Sequence, residues 1–323
     1  MNYREKIDYS SLSCYLDCPR KFLFQYLMHF RGNNKNIHLV FGSCWHYGLE
    51  IPYKTMMEQK LSVLDATDLS IEAFNKLWQI EGSEAFPDTD IIFPKSPGHA
   101  ANMFHAYWKR YLKIDLKNKQ IIAVESPFVI NLSKFHKGLP NYIGRIDLVF
   151  EELNKSLEIV DHKTAKALYP TALTGFEMSY QTVGYLTAGH LFYDKLPKMT
   201  YNVAMCQKKG IFFHRYYINK RKAQIEQFLQ DIVFYTIEII DNLNLLQEDL
   251  ITCTGRNDHL TSFIRRPGNA CTTFMSPCRY FDLCKLRNNP LLWINKPPQG
   301  FSINEWNPET HEQEIKDKLK ELI

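Results

Sequence analysis

The first third of the chain has apolar residues at the three- and four-residue spacing that is typical of amphipathic helices. Trp78 and Trp108 are among the aromatic residues that fall on the predicted apolar faces. In chain order, the pattern predicts helices from about residue 12, over 20–30, near Gly42, over 70–80 and over 99–113. This part of the chain is therefore expected to be mainly helical.

From residue 121 onward the apolar pattern changes to the two-residue period of strands. Three short β-branched stretches, separated by polar turns, predict a β-meander over 121–131, 141–150 and 157–161. The pattern then predicts a helix over 179–193, strands over 200–206 and 211–217, and a long helix over 220–246. This order predicts an α/β fold, with a mixed sheet that has helices on its faces.

Composition excludes several classes of protein. The 323 residues include 45% hydrophobic and 23% charged residues, which are ordinary globular values. No stretch is apolar and long enough to suggest a membrane span, and the first residues do not lead into a signal-like segment, so we expect a soluble, cytoplasmic protein. A net charge of +4 permits a nucleic-acid partner without requiring one.

The cysteines are distributed as an incomplete ligand set. Cys271, Cys278 and Cys284 lie close together near the C-terminus, while Cys18 lies in a Cys-Pro segment near the N-terminus. Three thiolates are one ligand short of a closed tetrahedral or cubane site. Cys18 is the natural fourth ligand, and a metal site of this kind would join the two ends of the chain.

Two acidic residues and a lysine end neighbouring predicted strands. Asp147 ends one strand, and Asp161 and Lys163 end the next. Residues that are two positions apart on a strand point to the same face, so Asp161 and Lys163 are expected to lie side by side. Two carboxylates can bind Mg²⁺ or Mn²⁺ near a phosphodiester, and the lysine can orient water or stabilise developing charge.

Two further elements complete a spaced series. His46 lies on a predicted helix between Gly42 and Gly48, and these glycines are expected to let other backbone approach closely. Gln181 and Tyr185 are four residues apart, so they share one face of a later helix. The series Gly-x-x-x-His, Gly-x-x-Asp, Asp-x-Lys and Gln-x-x-x-Tyr resembles the RecB-like branch of the PD-(D/E)XK nuclease superfamily.

This resemblance implies a restriction-endonuclease-like fold and a set of residue roles. It implies that His46, Asp147, Asp161 and the backbone carbonyl of His162 bind Mg²⁺ or Mn²⁺. It further implies that Lys163 assists the nucleophile, and that Gln181 and Tyr185 hold the lysine or the DNA backbone. Glu125 falls where the family often has an acidic residue, but it is equally interpretable as the partner in a structural salt bridge.

Within this family, the cysteine pattern is similar to that of the iron-sulfur members, which include the AddB nuclease domain and CRISPR-associated adaptation nucleases. The resemblance implies a [4Fe-4S] cluster on Cys18, Cys271, Cys278 and Cys284. Zinc is the main alternative, because four thiolates suit either metal. Cys14 is the reserve ligand.

We therefore predict a single nuclease domain over 1–323. Its predicted parts are an iron-sulfur clasp (1–30 and 251–290), a helical part (40–115) and a catalytic α/β core (120–250). The predicted activity is a metal-dependent exodeoxyribonuclease acting on single-stranded DNA ends in recombination, repair or replication. Because no Walker lysine motif is present, any helicase partner must be a separate chain. The alternatives are a non-cleaving DNA-end-binding adaptor and a zinc-stabilised RNA-processing protein.

Overall fold

The structure is a computed structural model that describes residues 3–88, 91–273, 276–286, 288–305 and 317–318. Its helices are α1 (Tyr9–Asp17), α2 (Pro19–Phe22), α3 (Ile37–Met56), α4 (Val63–Glu81), α5 (Pro97–Leu116), α6 (Pro170–Glu177), α7 (Tyr180–Tyr193), α8 (Lys222–Thr252) and α9 (Phe281–Leu286). Its strands are β1 (Lys6–Asp8), β2 (Phe30–Gly32), β3 (Lys119–Asn131), β4 (Asn141–Glu152), β5 (Leu157–Ala165), β6 (Lys198–Gln207), β7 (Gly210–Ile218), β8 (Thr272–Thr273), β9 (Ser276–Pro277) and β10 (Phe301–Ile303). Within the described ranges, no helix combines the length and the apolar character needed to span a membrane.

The predicted α/β fold with a mixed sheet is confirmed, and β3 to β7 all form where the two-residue pattern indicated them. The second helical run ends earlier than predicted. A π-helical turn over Leu23–Leu27 follows α2, and His29 then adopts a positive φ of 55° before strand β2 begins. A residue in the left-handed region cannot continue a right-handed helix. The short helix α6 was not predicted.

The chain separates into two compact units. Unit 1 comprises 1–34, 129–143 and 227–308, and unit 2 comprises 35–128, 144–226 and 309–323. Every predicted nuclease-site residue belongs to unit 2, and every predicted iron-sulfur cysteine belongs to unit 1. The interpretation of residues 1–323 as one nuclease domain stays a prediction.

The sheet of unit 2 has helices on both faces. Strand β4 pairs antiparallel with β5, β5 pairs parallel with β6, and β6 pairs antiparallel with β7. On one face, helix α7 packs so closely on β5 that a Cβ on Gly189 would lie 2.9 Å from Ile159 Cδ1. On the other face, Val160 of β5 belongs to the buried core. Successive β5 side chains therefore point to opposite layers.

The core of unit 2 is aromatic and lies between the sheet and helices α3, α4 and α5. Trp45 of α3 stacks on Phe104 of α5 with ring centroids 4.3 Å apart. Gly48, one helical turn beyond Trp45, permits this packing, because a Cβ there would lie 2.3 Å from Phe104 Cζ and 3.0 Å from the Ser70 carbonyl oxygen. The prediction that a glycine beside His46 allows close approach is confirmed at this position.

Unit 1 brings an early and a late segment of the chain together. Phe22 stacks on Phe263 at 5.7 Å, and Phe24 stacks on Tyr280 at 5.4 Å. Strand β2 pairs antiparallel with β10, and the Tyr280 hydroxyl donates to the Phe30 carbonyl at 2.8 Å. Segments more than 200 residues apart in sequence therefore share one aromatic core.

Candidate active site

Asp147 lies where the pairing between β4 and β5 stops. The last paired residues of the ladder toward this end are Leu148 and Val160. Just beyond them, the Asp147 carboxylate accepts a hydrogen bond from the backbone N–H of His162 at 2.8 Å. A side-chain oxygen thus accepts the hydrogen bond of a backbone N–H that lies beyond the paired residues of the two strands. The carboxylate is fixed in place by this contact.

His46 reaches the same carboxylate from helix α3. Its Nδ1 lies 3.2 Å from Asp147 Oδ2, and the exposed fractions of the two side chains are 29% and 9%. Glu125 of β3 joins them. One potential ligand atom from each of His46, Glu125 and Asp147 lies within 4.8 Å of the others. The structure therefore forms a triad of one imidazole and two carboxylates.

The backbone at Glu125 is unusual for a strand residue. Its φ is 48°, in the left-handed region that favours glycine. Conformations of this kind cost about 1–3 kcal/mol and are concentrated at functional sites. Glu125 Oε2 also contacts Arg145 Nε at 2.7 Å. Both interpretations of Glu125 from the sequence thus have a structural counterpart, because it has a salt-bridge partner and also belongs to the triad.

The electrostatics of the triad favour a cation. Burial, together with the charge of Asp147, raises the pKa of Glu125 to about 8. Burial acts in the same direction on Asp147, but the neighbouring His46 holds the Asp147 pKa well below its usual range. Burial lowers the His46 pKa, yet Asp147 outweighs it and the net shift is upward. A divalent cation would offset the crowding of the carboxylates, and nitrogen and oxygen donors fit Mn²⁺ or Mg²⁺.

Asp161 and Lys163 lie side by side, as their spacing on one strand predicts. Lys163 Nζ lies 2.6 Å from Asp161 Oδ2 and 2.9 Å from Oδ1. Asp161 is fully buried, and this burial raises its pKa to about 6 although Lys163 opposes the shift. The Lys163 side chain keeps 32% of its surface exposed. The carboxylate therefore holds an ammonium group that remains accessible to solvent.

Helix α7 supplies the next contacts. Gln181 Nε2 lies 3.2 Å from Asp161 Oδ1 and 3.0 Å from the Tyr185 hydroxyl. The predicted shared face of Gln181 and Tyr185 is confirmed. Through these contacts Gln181 holds the acid of the Asp-x-Lys pair.

Gly144 of the Gly-x-x-Asp segment has a packing role. A Cβ at this position would lie 2.4 Å from Phe128 Cζ, and the Phe128 ring packs edge-on against Tyr185 at 6.0 Å. The absent side chain lets β3 and β4 approach each other where Glu125 and Asp147 must meet.

The four predicted cluster cysteines line one cavity of about 210 Å³ in unit 1. Four cationic residues also line it: Lys21, Arg265, Arg266 and Lys285. Cys18 Sγ accepts a hydrogen bond from the backbone N–H of Arg266 at 3.4 Å. Cys14 is buried and is not among the lining residues. The donor set and the surrounding positive charge fit a thiolate-bound metal group with net negative charge.

A family model of the PD-(D/E)XK nuclease superfamily matches residues 7–285. The chain belongs to this superfamily. Membership in this superfamily indicates a hydrolase that acts on nucleic acid. It implies DNA as the substrate and divalent cations as the general cofactor.

Among solved structures, the chain is similar to a "putative exonuclease" from Eubacterium rectale, with a TM-score of 0.44, 10% identity, and coverage of 73% of this chain and 80% of that chain. It is also similar to SSO0001, with a TM-score of 0.25, 13% identity, and coverage of 60% of this chain and 84% of that chain. Comparison with curated proteins finds no match.

The metal ligands expected from the sequence do not include Glu125, but the structure brings it to His46 and Asp147. The signal available in the sequence was an acidic residue on the strand that precedes the Gly-x-x-Asp segment. The positive φ of Glu125 could not be predicted, because no pattern in the sequence indicates it.

Proposed function

We propose that this protein is a Mg²⁺- or Mn²⁺-dependent deoxyribonuclease that degrades DNA from single-stranded ends. The observation that carries the proposal is the triad of His46, Glu125 and Asp147 in a chain of this nuclease superfamily. A divalent cation, when bound, supplies Lewis acidity to a phosphodiester.

In this proposal His46, Glu125 and Asp147 bind the cation, together with Asp161 and the backbone carbonyl of His162. The buried carboxylates of Glu125 and Asp161 have raised pKa values, so they bind protons when no cation is present. Their deprotonation provides the negative charge that retains the cation.

Lys163 has a separate role. Its ammonium group is held against Asp161 and is partly exposed, so it can orient the attacking water and donate hydrogen bonds to phosphate oxygens as negative charge develops. Gln181 orients Asp161, and thereby keeps Lys163 in a single position. In hydrolysis, a water molecule loses a proton as its oxygen forms a bond to phosphorus, the bond from phosphorus to the leaving oxygen breaks, and that oxygen takes up a proton.

We also propose a structural [4Fe-4S] cluster on Cys18, Cys271, Cys278 and Cys284. The four cysteines line one cavity together with four cationic side chains, and positive charge around thiolate ligands suits a cluster with net negative charge. Zinc stays the alternative at this site, because four thiolates suit either metal.

Specificity for single-stranded ends, and the role in recombination, repair or replication, rest on the resemblance to RecB-like nucleases. The sequence also offers basic residues for contact with DNA phosphates, and one of them, Arg287, lies outside the described residues.

The test uses the full-length protein, purified anaerobically, with end-labelled linear DNA, circular single-stranded DNA and RNA of matched sequence. We expect Mn²⁺-dependent loss of the linear single strand, while the circle and the RNA persist. Lys163→Ala is expected to remove this activity. The control is Lys155→Ala, because Lys155 forms an exposed pair with Glu151 outside the site.

DNA that is retained without cleavage by both the wild type and Lys163→Ala would favour the adaptor alternative. Cleavage of RNA in preference to DNA would favour the RNA-processing alternative.

A further inference from the structure

The ring of His162 lies on the face of β5 opposite to Asp161 and has its own buried partners. His162 is directly opposite Asn202 in the pairing of β5 with β6, and Nδ1 of the ring lies 3.0 Å from the Asn202 amide nitrogen. The ring also stacks on Tyr53 of α3, with centroids 5.8 Å apart and an interplanar angle of 17°. His162 is thus held on two sides.

Asn202 belongs to a larger buried hydrogen-bond network. We call the set of Tyr53, Tyr107, Asp115, Asn202 and Arg215 the Asn202 network. Asn202 donates to the Tyr107 hydroxyl at 2.7 Å and accepts from Arg215 Nε at 3.4 Å. Arg215 in turn makes a bidentate ion pair with Asp115 at 2.5 and 2.8 Å.

The donors of this network can be assigned without ambiguity. Asp115 is an acceptor of Arg215 and of the Tyr53 hydroxyl, so Tyr53 must accept from Tyr107. The Tyr107 hydroxyl then accepts from Asn202, which leaves the second amide hydrogen of Asn202 for His162 Nδ1. The imidazole therefore has its proton on Nε2.

His162 connects this network to the triad through its backbone. Its N–H is the group that donates to Asp147 Oδ2, and Asp147 is the residue that His46 contacts. A rotation of the His162 peptide plane would change the direction of that hydrogen bond. The ring contacts with Asn202 and Tyr53 oppose such a rotation from the other face of the strand.

We propose that Asn202 is a positioning residue of the candidate active site, which acts through His162 to orient the Asp147 carboxylate for metal binding. This inference rests on the proposed function. Outer hydrogen-bond partners of metal ligands typically contribute 10- to 100-fold in metal affinity. A buried ion pair such as Asp115–Arg215 often gives little net stability relative to apolar residues of similar volume. We therefore assign the network the role of holding His162 in a single orientation, not that of adding stability.

The test compares Asn202→Leu with Thr200→Val in the full-length protein. Leucine has nearly the shape of asparagine and makes none of its hydrogen bonds. Thr200 lies two residues away on the same strand, is fully buried, and donates to Glu158 at 2.5 Å, so its replacement also removes one buried hydrogen bond. Asn202→Leu removes three hydrogen bonds of a buried side chain, one of which leads to His162, whereas Thr200→Val removes one that does not.

Calorimetry with Mn²⁺ is the main measurement. We expect the Kd for Mn²⁺ to rise about 10-fold or more in Asn202→Leu and to change less than about twofold in Thr200→Val. Saturating Mn²⁺ should restore most of the cleavage rate of Asn202→Leu with an unchanged KM for DNA. Because Mn²⁺ also stabilises the folded state, unfolding of both variants is measured without metal to identify a general defect in folding. Equal Mn²⁺ affinity in the two variants would overturn the proposal.

If Asn202→Leu shows no cooperative unfolding, Tyr107→Phe replaces it, because it removes one hydroxyl of the network without a change of shape. A Kd for Mn²⁺ that is higher in Tyr107→Phe than in Thr200→Val supports the positioning role, and an equal Kd in the two variants overturns it. A wild type that neither binds Mn²⁺ nor cleaves DNA would instead contradict the proposed function. A wild type that does both, with network variants unaffected, contradicts the positioning role alone.

Discussion

The backbone N–H of His162 donates to the carboxylate of Asp147 at 2.8 Å, just beyond the last paired residues of their strands. This contact fixes the Asp147 carboxylate at the end of the β-ladder. The position of Asp147 therefore depends on where the two strands separate as well as on the residue itself.

Replacement of Asp147, Asp161 or Lys163 by alanine is expected to lower the cleavage rate at least about 100-fold, because each change removes a metal ligand or a cation that stabilises transition-state charge. Gel assays with end-labelled DNA measure the rate, and fluorescence anisotropy with the same DNA measures binding, which should persist. Wild-type turnover in the purified triple variant would contradict the site. His46→Ala should lose less at high Mn²⁺, since excess cation compensates for one lost ligand.

Glu125→Gln separates the two interpretations of this residue. As a metal ligand, Glu125 should contribute at least as much to Mn²⁺ affinity as outer hydrogen-bond partners do, which is about 10-fold or more, measured by calorimetry. Arg145→Gln is the matched variant, because it breaks the same 2.7 Å ion pair from the other side. If Arg145→Gln lowers Mn²⁺ affinity as much as Glu125→Gln does, Glu125 acts through its salt bridge.

The metal-free protein is expected to be less stable at pH 8 than at pH 5.5. The pKa values of Glu125 and Asp161 are raised by burial to about 8 and about 6, so the folded state binds these protons more tightly than the unfolded state does. The free energy of unfolding therefore falls as pH rises from about 4 toward 8. The raised pKa of His46 acts in the same direction. Its contribution to stability is fully present below about pH 6.5 and is lost as pH rises through the raised pKa.

Urea unfolding in the presence of EDTA measures this effect. The lowered pKa of Asp147 gives the opposite slope only below about pH 4, outside the range of the comparison. Burial lowers the pKa of His162 to about 3, so this group opposes the effect up to about pH 6.5, but it does so equally in the wild type and in Glu125→Gln. Glu125→Gln should reduce the difference between the two pH values, and saturating Mn²⁺ should reduce it as well. A difference that is the same in the wild type and in Glu125→Gln would show that Glu125 does not titrate in this range.

Cys18, Cys271, Cys278 and Cys284 are expected to act as one unit. Serine at any of them should remove bound iron and lower the unfolding temperature, because the site closes a loop of some 250 residues and such crosslinks contribute about 4–5 kcal/mol. Iron content and the visible absorption band, measured after anaerobic purification, test this.

Serine variants of Cys44, Cys206 and Cys253 are the controls and should keep their iron. Loss of iron in Cys14→Ser, with full iron in Cys18→Ser, would show that the fourth ligand is Cys14, one helical turn before Cys18. Stoichiometric zinc without iron in the wild type would replace the cluster by zinc and leave the nuclease proposal intact.

The sequence by itself determined the features that depend on local periodicity. Side-chain alternation along β5 places Asp161 and Lys163 on one face, and the four-residue spacing of Gln181 and Tyr185 places both on one face of α7. Short-range geometry is fixed by φ and ψ alone, so these pairings could be predicted without knowledge of the rest of the fold.

The tertiary structure alone decided which distant groups meet. Glu125 joins His46 and Asp147 because β3 passes beside β4 and the backbone at Glu125 adopts a positive φ. The contact of Asn202 with His162 depends on the parallel register of β5 and β6 across an intervening crossover. No sequence period encodes the register between strands that are far apart in the chain, because that register is set by the packing of the whole sheet and its helices.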